Sequence, residues 1–257
     1  MQKPTIETAV RNLADAIESV KQLVVFTGAG ISTESGISDY RSQGGLWERY
    51  KPVTIQEFRA DEDARRRYWQ RKREIYPTFA AAEPNAGHRA IAELERRGKL
   101  QVLITQNIDG LHELAGNSPD RIIELHGTER WVKCLACGKR WTRAEVQERL
   151  EAGEDVPVCT DCHGWLKPAT ISFGQSLEPE VLERAFKESA RCEAFLVVGS
   201  SLAVQPAALM PAEAKHAGAW LGILNRAETP LDDAADWRCS EPAGAVLEAM
   251  IERLGAS

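Results

Sequence analysis

Four of the six cysteines form two close pairs, and their spacing is typical of a metal site. The pairs are Cys134 with Cys137 and Cys159 with Cys162. Thiolates from two such pairs bind Zn²⁺ in a tetrahedral arrangement. Because four sulfur ligands leave no coordination position open, the metal would stabilise a small lobe and would not react with a substrate. The sequence therefore predicts one structural zinc.

The segment 28–41 has the residue types of a phosphate-binding turn. It begins Gly-Ala-Gly-Ile-Ser and follows the apolar run 23–26. A glycine turn after a buried strand allows backbone N–H groups to approach an anion. The third glycine, Gly36, comes too late for the usual dinucleotide fingerprint. A simple packing turn therefore remains an alternative at this point.

Other polar residues that could do chemistry also follow apolar runs. The run 101–105 precedes Gln106–Asp109, and the run 121–125 precedes His126. A neutral imidazole is well suited to act as a general base near neutral pH. The structural alternatives are a capped core histidine at 126 and a turn shaped by the residues 107–109. His88 and His112 lie in helical patterns and are expected to be structural.

The elements that must position these residues alternate between short apolar runs and helical patterns. Strands are predicted at 23–26, 101–105, 121–125, 170–173, 194–198 and 220–224, and helices at 86–97, 180–190, 206–217 and 243–254. This alternation predicts an α/β fold, a Rossmann-like parallel sheet with helices on both faces. Ligands bind such sheets at the carboxyl ends of the strands, where the polar segments described above lie.

Two stretches interrupt the alternation and indicate a second lobe. Residues 48–83 are rich in charge and aromatic side chains, and residues 129–167 carry the cysteine pairs. We predict that the helical insertion 48–83 and the zinc-binding module 129–167 together form a small lobe. The remaining segments, 1–47, 84–128 and 168–257, would form the Rossmann-like nucleotide-binding domain.

Composition and charge exclude several classes of protein. The chain has 257 residues and a formal net charge of −6, which disfavours general binding to nucleic acid. The first residues form no apolar signal core, and the uncharged stretch 194–212 contains Pro206 and Pro211. A buried strand and a loop explain that stretch better than a membrane helix does. We therefore expect a cytoplasmic protein without a membrane partner.

Taken together, these motifs resemble the sirtuins, a family of NAD-dependent protein-lysine deacylases, in their bacterial type. The resemblance rests on the segment 28–41, the runs Thr105–His112, Leu125–Thr128 and Gly199–Leu202, and the four paired cysteines. They occur in the family's order and span nearly the whole chain. The resemblance implies that NAD lies in a cleft between the two lobes and that an acyl-lysine peptide enters from the other side.

The resemblance also implies roles for individual residues. His126 would be the general base, Asn107 and Asp109 would surround the nicotinamide and its ribose, and Phe173 and Gly174 would contact the peptide. The residues implied to contact NAD are Gly28, Ala29, Gly30, Ser32, Glu34, Asp39, Tyr40, Arg41, Trp47, Gln106, Asn107, Ile108, Asp109, Gly199, Ser200, Ser201, Asn225, Arg226 and Ala243.

The implied reaction consumes NAD as a co-substrate. Nicotinamide leaves as the acyl oxygen attacks the ribose, and His126 then accepts a proton from a ribose hydroxyl. The products would be nicotinamide, the free lysine and an O-acyl-ADP-ribose. Two alternatives are a mono-ADP-ribosyltransferase on the same scaffold and an NAD-sensing zinc scaffold without turnover.

One motif of the chain bears on which acyl groups the enzyme would remove. Tyr68 and Arg71 fit the Y-x-x-R pattern of sirtuins that remove acidic acyl groups such as succinyl and malonyl. This spacing puts both side chains on one helical face, and a guanidinium group can bind a carboxylate through two hydrogen bonds. The alternative is a solvated basic face, because the residues 65–73 form a basic run.

Overall fold

The structure, a computed structural model, describes residues 5–39 and 51–255. Three of the predicted NAD contacts, Tyr40, Arg41 and Trp47, lie outside the described residues.

A parallel sheet of six strands forms the centre of the part of the chain that the structure describes. Its strands are β1 (Leu23–Thr27), β2 (Leu100–Thr105), β3 (Ile122–Glu124), β7 (Ala194–Val198), β8 (Trp220–Leu224) and β9 (Trp237–Cys239). They lie in the order β3-β2-β1-β7-β8-β9, and every neighbouring pair is parallel. A smaller antiparallel sheet contains β4 (Gly127–Cys134), β5 (Arg140–Thr142) and β6 (Leu166–Thr170) in the order β5-β4-β6.

Helices cover both faces of the large sheet, as predicted. The helices are α1 (Ile6–Glu18), α2 (Ile55–Ala60), α3 (Glu62–Ala81), α4 (Ala86–Arg96), α5 (Leu111–Leu114), α6 (Arg143–Glu151), α7 (Pro179–Arg191), α8 (Met210–His216) and α9 (Ala243–Gly255). Alternate side chains of β1 point to opposite faces: Leu23 and Val25 pack in a core with α1, α4 and α9, while Val24 and Phe26 pack in a core with α7 and α8. Because both faces are buried, the strand is apolar from Leu23 to Phe26, as its sequence indicated.

The small sheet packs with α2, α3 and α6 around a third core. An ion cluster is buried in this small lobe: Glu129 of β4 accepts hydrogen bonds from Lys72 of α3 at 2.5 Å and from Arg143 of α6 at 3.1 Å. The Arg143 guanidinium also lies 5.8 Å from the centre of the Trp69 ring. These contacts join two helices and a strand that come from different parts of the chain.

One predicted strand is wrong. Residues 171–173 form no strand, and the preceding segment, β6, pairs with β4 in the small sheet. The reason is that the apolar residues of this run serve a loop: the Ile171 N–H donates to the carbonyl of His126 at 2.8 Å, and the Phe173 carbonyl accepts from Ile55 of α2 at 3.0 Å. The predicted domain boundaries remain a prediction. In the described ranges no helix has the length and apolarity needed to cross a membrane.

Candidate active site

A cavity of about 1500 Å³ runs along the carboxyl ends of β1, β2, β7 and β8, with α2 and α3 on its other side. Most of the predicted site residues line it. They are Gly28, Ala29, Gly30, Glu34, Asp39, Tyr68, Arg71, Gln106, Asn107, Ile108, His126, Phe173, Gly174, Gly199, Ser200, Ser201, Asn225, Arg226 and Ala243. Of the predicted site residues that the structure describes outside the cysteine pairs, Ser32 and Asp109 do not line this cavity.

The glycines after β1 pack directly against the loop after β7. The Gly28 N–H donates to the carbonyl of Val198 at 3.0 Å, and the Gly30 N–H donates to that of Gly199 at 2.8 Å. Gly199 has a left-handed φ of +63°, and a Cβ atom on Gly30 would lie 2.8 Å from the Gly199 Cα. Only glycine allows the two backbones to approach so closely. The predicted phosphate-binding turn is thus also a packing turn.

Ser32 and Asp109 lie behind the cavity and support Asn107. The Ser32 hydroxyl donates to Asp109 Oδ2 at 2.7 Å, and Asn107 Nδ2 donates to Ser32 Oγ at 3.1 Å and to the Gly28 carbonyl at 3.2 Å. Burial raises the pKa of Asp109, and the hydrogen bonds from Leu111 and Ser32 oppose that rise. Since both amide hydrogens of Asn107 bond within the protein, its amide oxygen is the group it can offer to a ligand.

His126 has the geometry of a general base. Its Nδ1 lies 2.9 Å from the carbonyl oxygen of Gln106, so Nδ1 carries the proton and Nε2 is the acceptor. Burial lowers the pKa of His126, and this hydrogen bond opposes the decrease. Gln106 is itself held by a hydrogen bond from its Nε2 to Ser200 Oγ at 2.7 Å. A neutral, oriented imidazole therefore lines the cavity at neutral pH.

Two further histidines, which the sequence suggested only as structural, are buried beneath the site. His88 Nε2 lies 3.5 Å from Ser32 Oγ, and His112 Nε2 lies 3.0 Å from Thr27 Oγ1. Their ring centres are 4.8 Å apart. Burial lowers the pKa of His88 to about 4 and that of His112 well below its usual value. Both rings are therefore neutral; the polar position of His88 on an otherwise apolar helix face was a signal of such a buried role.

The loop after β6 joins the two lobes at the cavity. The side-chain amide of Gln56 donates to the Gly174 carbonyl at 3.0 Å. Gly174 has a φ of +76°, a left-handed conformation that favours glycine. Phe173 is 48% exposed. The side chain therefore lies partly at the surface where the sequence resemblance puts the peptide.

Tyr68 and Arg71 both line the cavity but differ in what they present to it. Tyr68 packs edge-on against Phe58, with ring centres 5.0 Å apart, and its hydroxyl is buried. Arg71 is partly exposed. The cavity therefore presents the Arg71 side chain, whereas a ligand could reach the Tyr68 hydroxyl only after the side chain moved.

Glu34 lies at the amino end of α9. Its Oε1 accepts the backbone N–H of Gly244 at 3.2 Å, so the carboxylate stands where the helix dipole favours negative charge. Glu34 thus connects the loop after β1 with the last helix, beside Ala243 at the cavity wall.

The four paired cysteines converge on one point. Their Sγ atoms all lie within 4.8 Å of one another, with Cys134 and Cys162 3.5 Å apart and Cys137 and Cys159 3.7 Å apart. Zn–S bonds of about 2.3 Å require sulfur atoms roughly 3.8 Å apart in a tetrahedron. All four are free thiols, and backbone N–H groups of Ala136 and Cys137 point at the Cys134 sulfur. The cluster fits the predicted structural zinc.

Comparison with known proteins places these features in a family. Residues 28–206 match the model of the "Sir2 family". A relative from Rhodopseudomonas palustris named NAD-dependent protein deacetylase is 45% identical, covering 92% of this chain and 93% of the relative. One from Streptomyces coelicolor, NAD-dependent protein deacetylase 2, is 47% identical, covering 91% and 98%. A solved structure described as Sir2 with a p53 peptide and NAD⁺ is 35% identical, with a TM-score of 0.88 over 96% of this chain and 99% of that one.

Proposed function

Because the chain belongs to the Sir2 family, we propose that it is an NAD-dependent protein deacylase, which removes acyl groups from the lysine side chains of proteins. NAD is consumed as a co-substrate, and the products are nicotinamide, the free lysine and an O-acyl-ADP-ribose. The observation that carries the proposal is the neutral His126, whose Nε2 is an acceptor at the wall of a cavity shared by both lobes.

Different residues of the chain would bind NAD, orient it and accept the proton. The loop after β1 and the loop after β7 would hold the two ends of NAD, since backbone N–H groups in such turns bind phosphate. Asn107 would orient the nicotinamide through its amide oxygen, and Asp109 would act from behind through Ser32. His126 would accept the ribose hydroxyl proton, which is general-base catalysis worth about 10²- to 10⁴-fold. Sensing NAD without turnover would not need such a base.

Zinc would have a purely structural role. The four thiolates fill its coordination shell and join the turn after β4 to the turn before β6. Since β6 leads directly into the loop of Phe173 and Gly174, the metal would support the peptide side of the cavity from a distance. Paired cysteines that bind zinc and do not form disulfides also fit a reducing compartment, so we propose that the enzyme acts in the cytoplasm, which cell fractionation would test.

The central experiment measures deacylation of an acetyl-lysine peptide by the purified protein with and without NAD. We expect nicotinamide and deacetylated peptide to form in equal amounts, and only with NAD. His126→Ala should lower kcat about 10²- to 10⁴-fold. His216→Ala is the matched control, because His216 is exposed on α8 and outside the cavity. Nicotinamide release without deacetylated peptide, with ADP-ribose transferred to protein, would support the ADP-ribosyltransferase alternative instead.

We further propose that Arg71 lets the enzyme accept succinyl and malonyl groups as well as acetyl. The support is its position at the cavity wall and the ability of a guanidinium group to bind a carboxylate. Arg71→Met should reduce kcat/KM for a succinyl-lysine peptide at least tenfold and leave the acetyl value nearly unchanged. Arg73→Met, a change of an exposed arginine outside the cavity, is the control. Absence of succinyl activity, or equal losses on both peptides, would refute this role.

A further inference from the structure

A small chamber adjoins Asp109. Its volume is about 10 Å³, and its walls include Asp109, His112, Glu113 and Glu124. A space of roughly 10–15 Å³ on this measure holds one water molecule, provided that polar groups are present to bind it. The chamber therefore has room for one small polar ligand and no more.

The hydrogen bonds around His112 fix its tautomer. The Thr27 hydroxyl donates its single hydrogen to Thr105 Oγ1 at 2.8 Å. His112 Nε2 lies 3.0 Å from the same Thr27 oxygen, so Nε2 must be the donor in that contact. The ring is 3% exposed and neutral, which makes Nδ1 an acceptor. Among the described residues no group donates to Nδ1, although the atom is buried.

Acidic side chains also line the chamber. Arg130 pairs with Glu113 and lies 3.5 Å from Glu124. Asp109 is close enough to Glu124 for their charges to repel, which helps burial to raise the pKa of Glu124. The charged groups near Asp109 are thus Glu113, Glu124 and Arg130. The neutral ring of His112 also lies beside it, and the neutral ring of His88 is connected to it by Ser32. Acceptors outnumber donors at this wall.

We propose that this chamber is a binding site for one water molecule, which donates one hydrogen to His112 Nδ1 and the other to the carboxylate of Asp109. A water molecule has two hydrogens, so it can donate to the buried nitrogen acceptor and to the carboxylate at the same time. His112 is then a positioning residue, because it acts on Asp109 through the bound water. Any effect on turnover rests on the proposed deacylase function, but the water site itself does not.

The direct test is a high-resolution crystal structure of the full chain. We expect one ordered water within about 3 Å of His112 Nδ1 and of an Asp109 oxygen. A chamber without density, or a protein group that donates to Nδ1, would overturn the proposal. This result is independent of catalysis, so it stands apart from any failure of the proposed function.

A second test measures the pKa of the Asp109 carboxyl by ¹³C NMR, with Asp109→Asn used to assign the signal. Loss of a hydrogen bond to a carboxylate favours its protonated form. His112→Phe should therefore raise the Asp109 pKa by about 0.4–1 pH unit, and His112→Gln, which restores a polar atom at this position, should reverse part of the rise. Ser189→Ala is the control, since it removes a hydroxyl that is equally buried, bonded to the Ala185 carbonyl in α7 and not part of the chamber. Equal shifts for His112→Phe and Ser189→Ala would show a general packing effect and contradict the proposal.

Discussion

Substitution of Gly199 by alanine should damage both stability and NAD binding, because two separate constraints meet at this residue. The first is its φ of +63°, a conformation that costs an alanine roughly 1–2 kcal/mol. Alanine also lowers the conformational entropy of the unfolded chain, which stabilises the folded protein by about 0.4–1 kcal/mol and offsets part of this strain. The net strain is therefore on the order of 1 kcal/mol.

The second constraint is the close approach of the loop after β1. A Cβ atom on Gly199 would lie 2.6 Å from the carbonyl carbon of Gly30. Relief of this contact needs the loops to separate by about 1 Å, which would break the 2.8 Å hydrogen bond between them. Overpacking costs about 1–3 kcal/mol and the lost hydrogen bond about 1 kcal/mol. Together with the backbone strain, the total of roughly 3–5 kcal/mol corresponds to a decrease in Tm of about 6–20 °C for a chain of this size.

Gly98→Ala is a matched control. Gly98 has a φ of +69°, and a Cβ atom there would meet nothing within 4 Å. Its substitution should show the backbone strain alone, a decrease of a few degrees at most, with the Kd for NAD unchanged. Thermal unfolding and calorimetric titration with NAD measure both quantities, and we expect Gly199→Ala to weaken NAD binding at least tenfold. Equal Tm decreases in the two variants, or normal NAD binding by Gly199→Ala, would refute the packing argument.

Three further outcomes are expected. The pKa of His88 is about 4 in the folded protein and 6.5 in the unfolded chain. Below pH 6.5 the unfolded chain therefore binds the proton first, and the free energy of unfolding should fall by about 3 kcal/mol between pH 6.5 and 4. Urea titrations should show a smaller decrease for His88→Gln, and an unchanged decrease would contradict the assignment. Cys159→Ser should abolish the one-to-one zinc content measured by elemental analysis and lower Tm, and full retention of zinc would exclude the four-thiolate site. Glu129→Gln removes the buried carboxylate that Lys72 and Arg143 share and should cost about 3–5 kcal/mol of stability. The exposed Glu62→Gln should cost less than about 1 kcal/mol, and similar losses in both would contradict the buried-ion reasoning.

The strand-and-helix alternation and the zinc site could be predicted because both are local patterns. The predicted strand at 194–198 and helix at 243–254 agree closely with β7 and α9, since apolar runs and helical periodicity determine such elements directly. The run 170–173 misled because an apolar loop that packs on α2 has the same composition as a short strand. The edge strand β9 is only three residues long, which is too short for a periodic pattern to indicate.

The layering of the site could not be predicted. Ser32 and Asp109 are 77 residues apart, and only the order of the strands shows that they meet behind the cavity. The burial of the Tyr68 hydroxyl likewise depends on how α2 and α3 pack in the small lobe. Residue types and spacing therefore predict which side chains are near the ligand, but tertiary packing decides which atoms face it.

The strand order of the large sheet has a consequence for synthesis on the ribosome. β1 lies between β2 and β7, and its Leu23 pairs with Leu100 on one side and with Ala194 on the other. At a translation rate of about 5–20 residues per second, roughly 10–30 s pass between the synthesis of β1 and that of its second partner. During that interval one edge of a mainly apolar strand has no native neighbour, which is a condition that favours aggregation. The nascent chain therefore needs protection, by a chaperone or by early packing of α1 and α4, until β7 has been made.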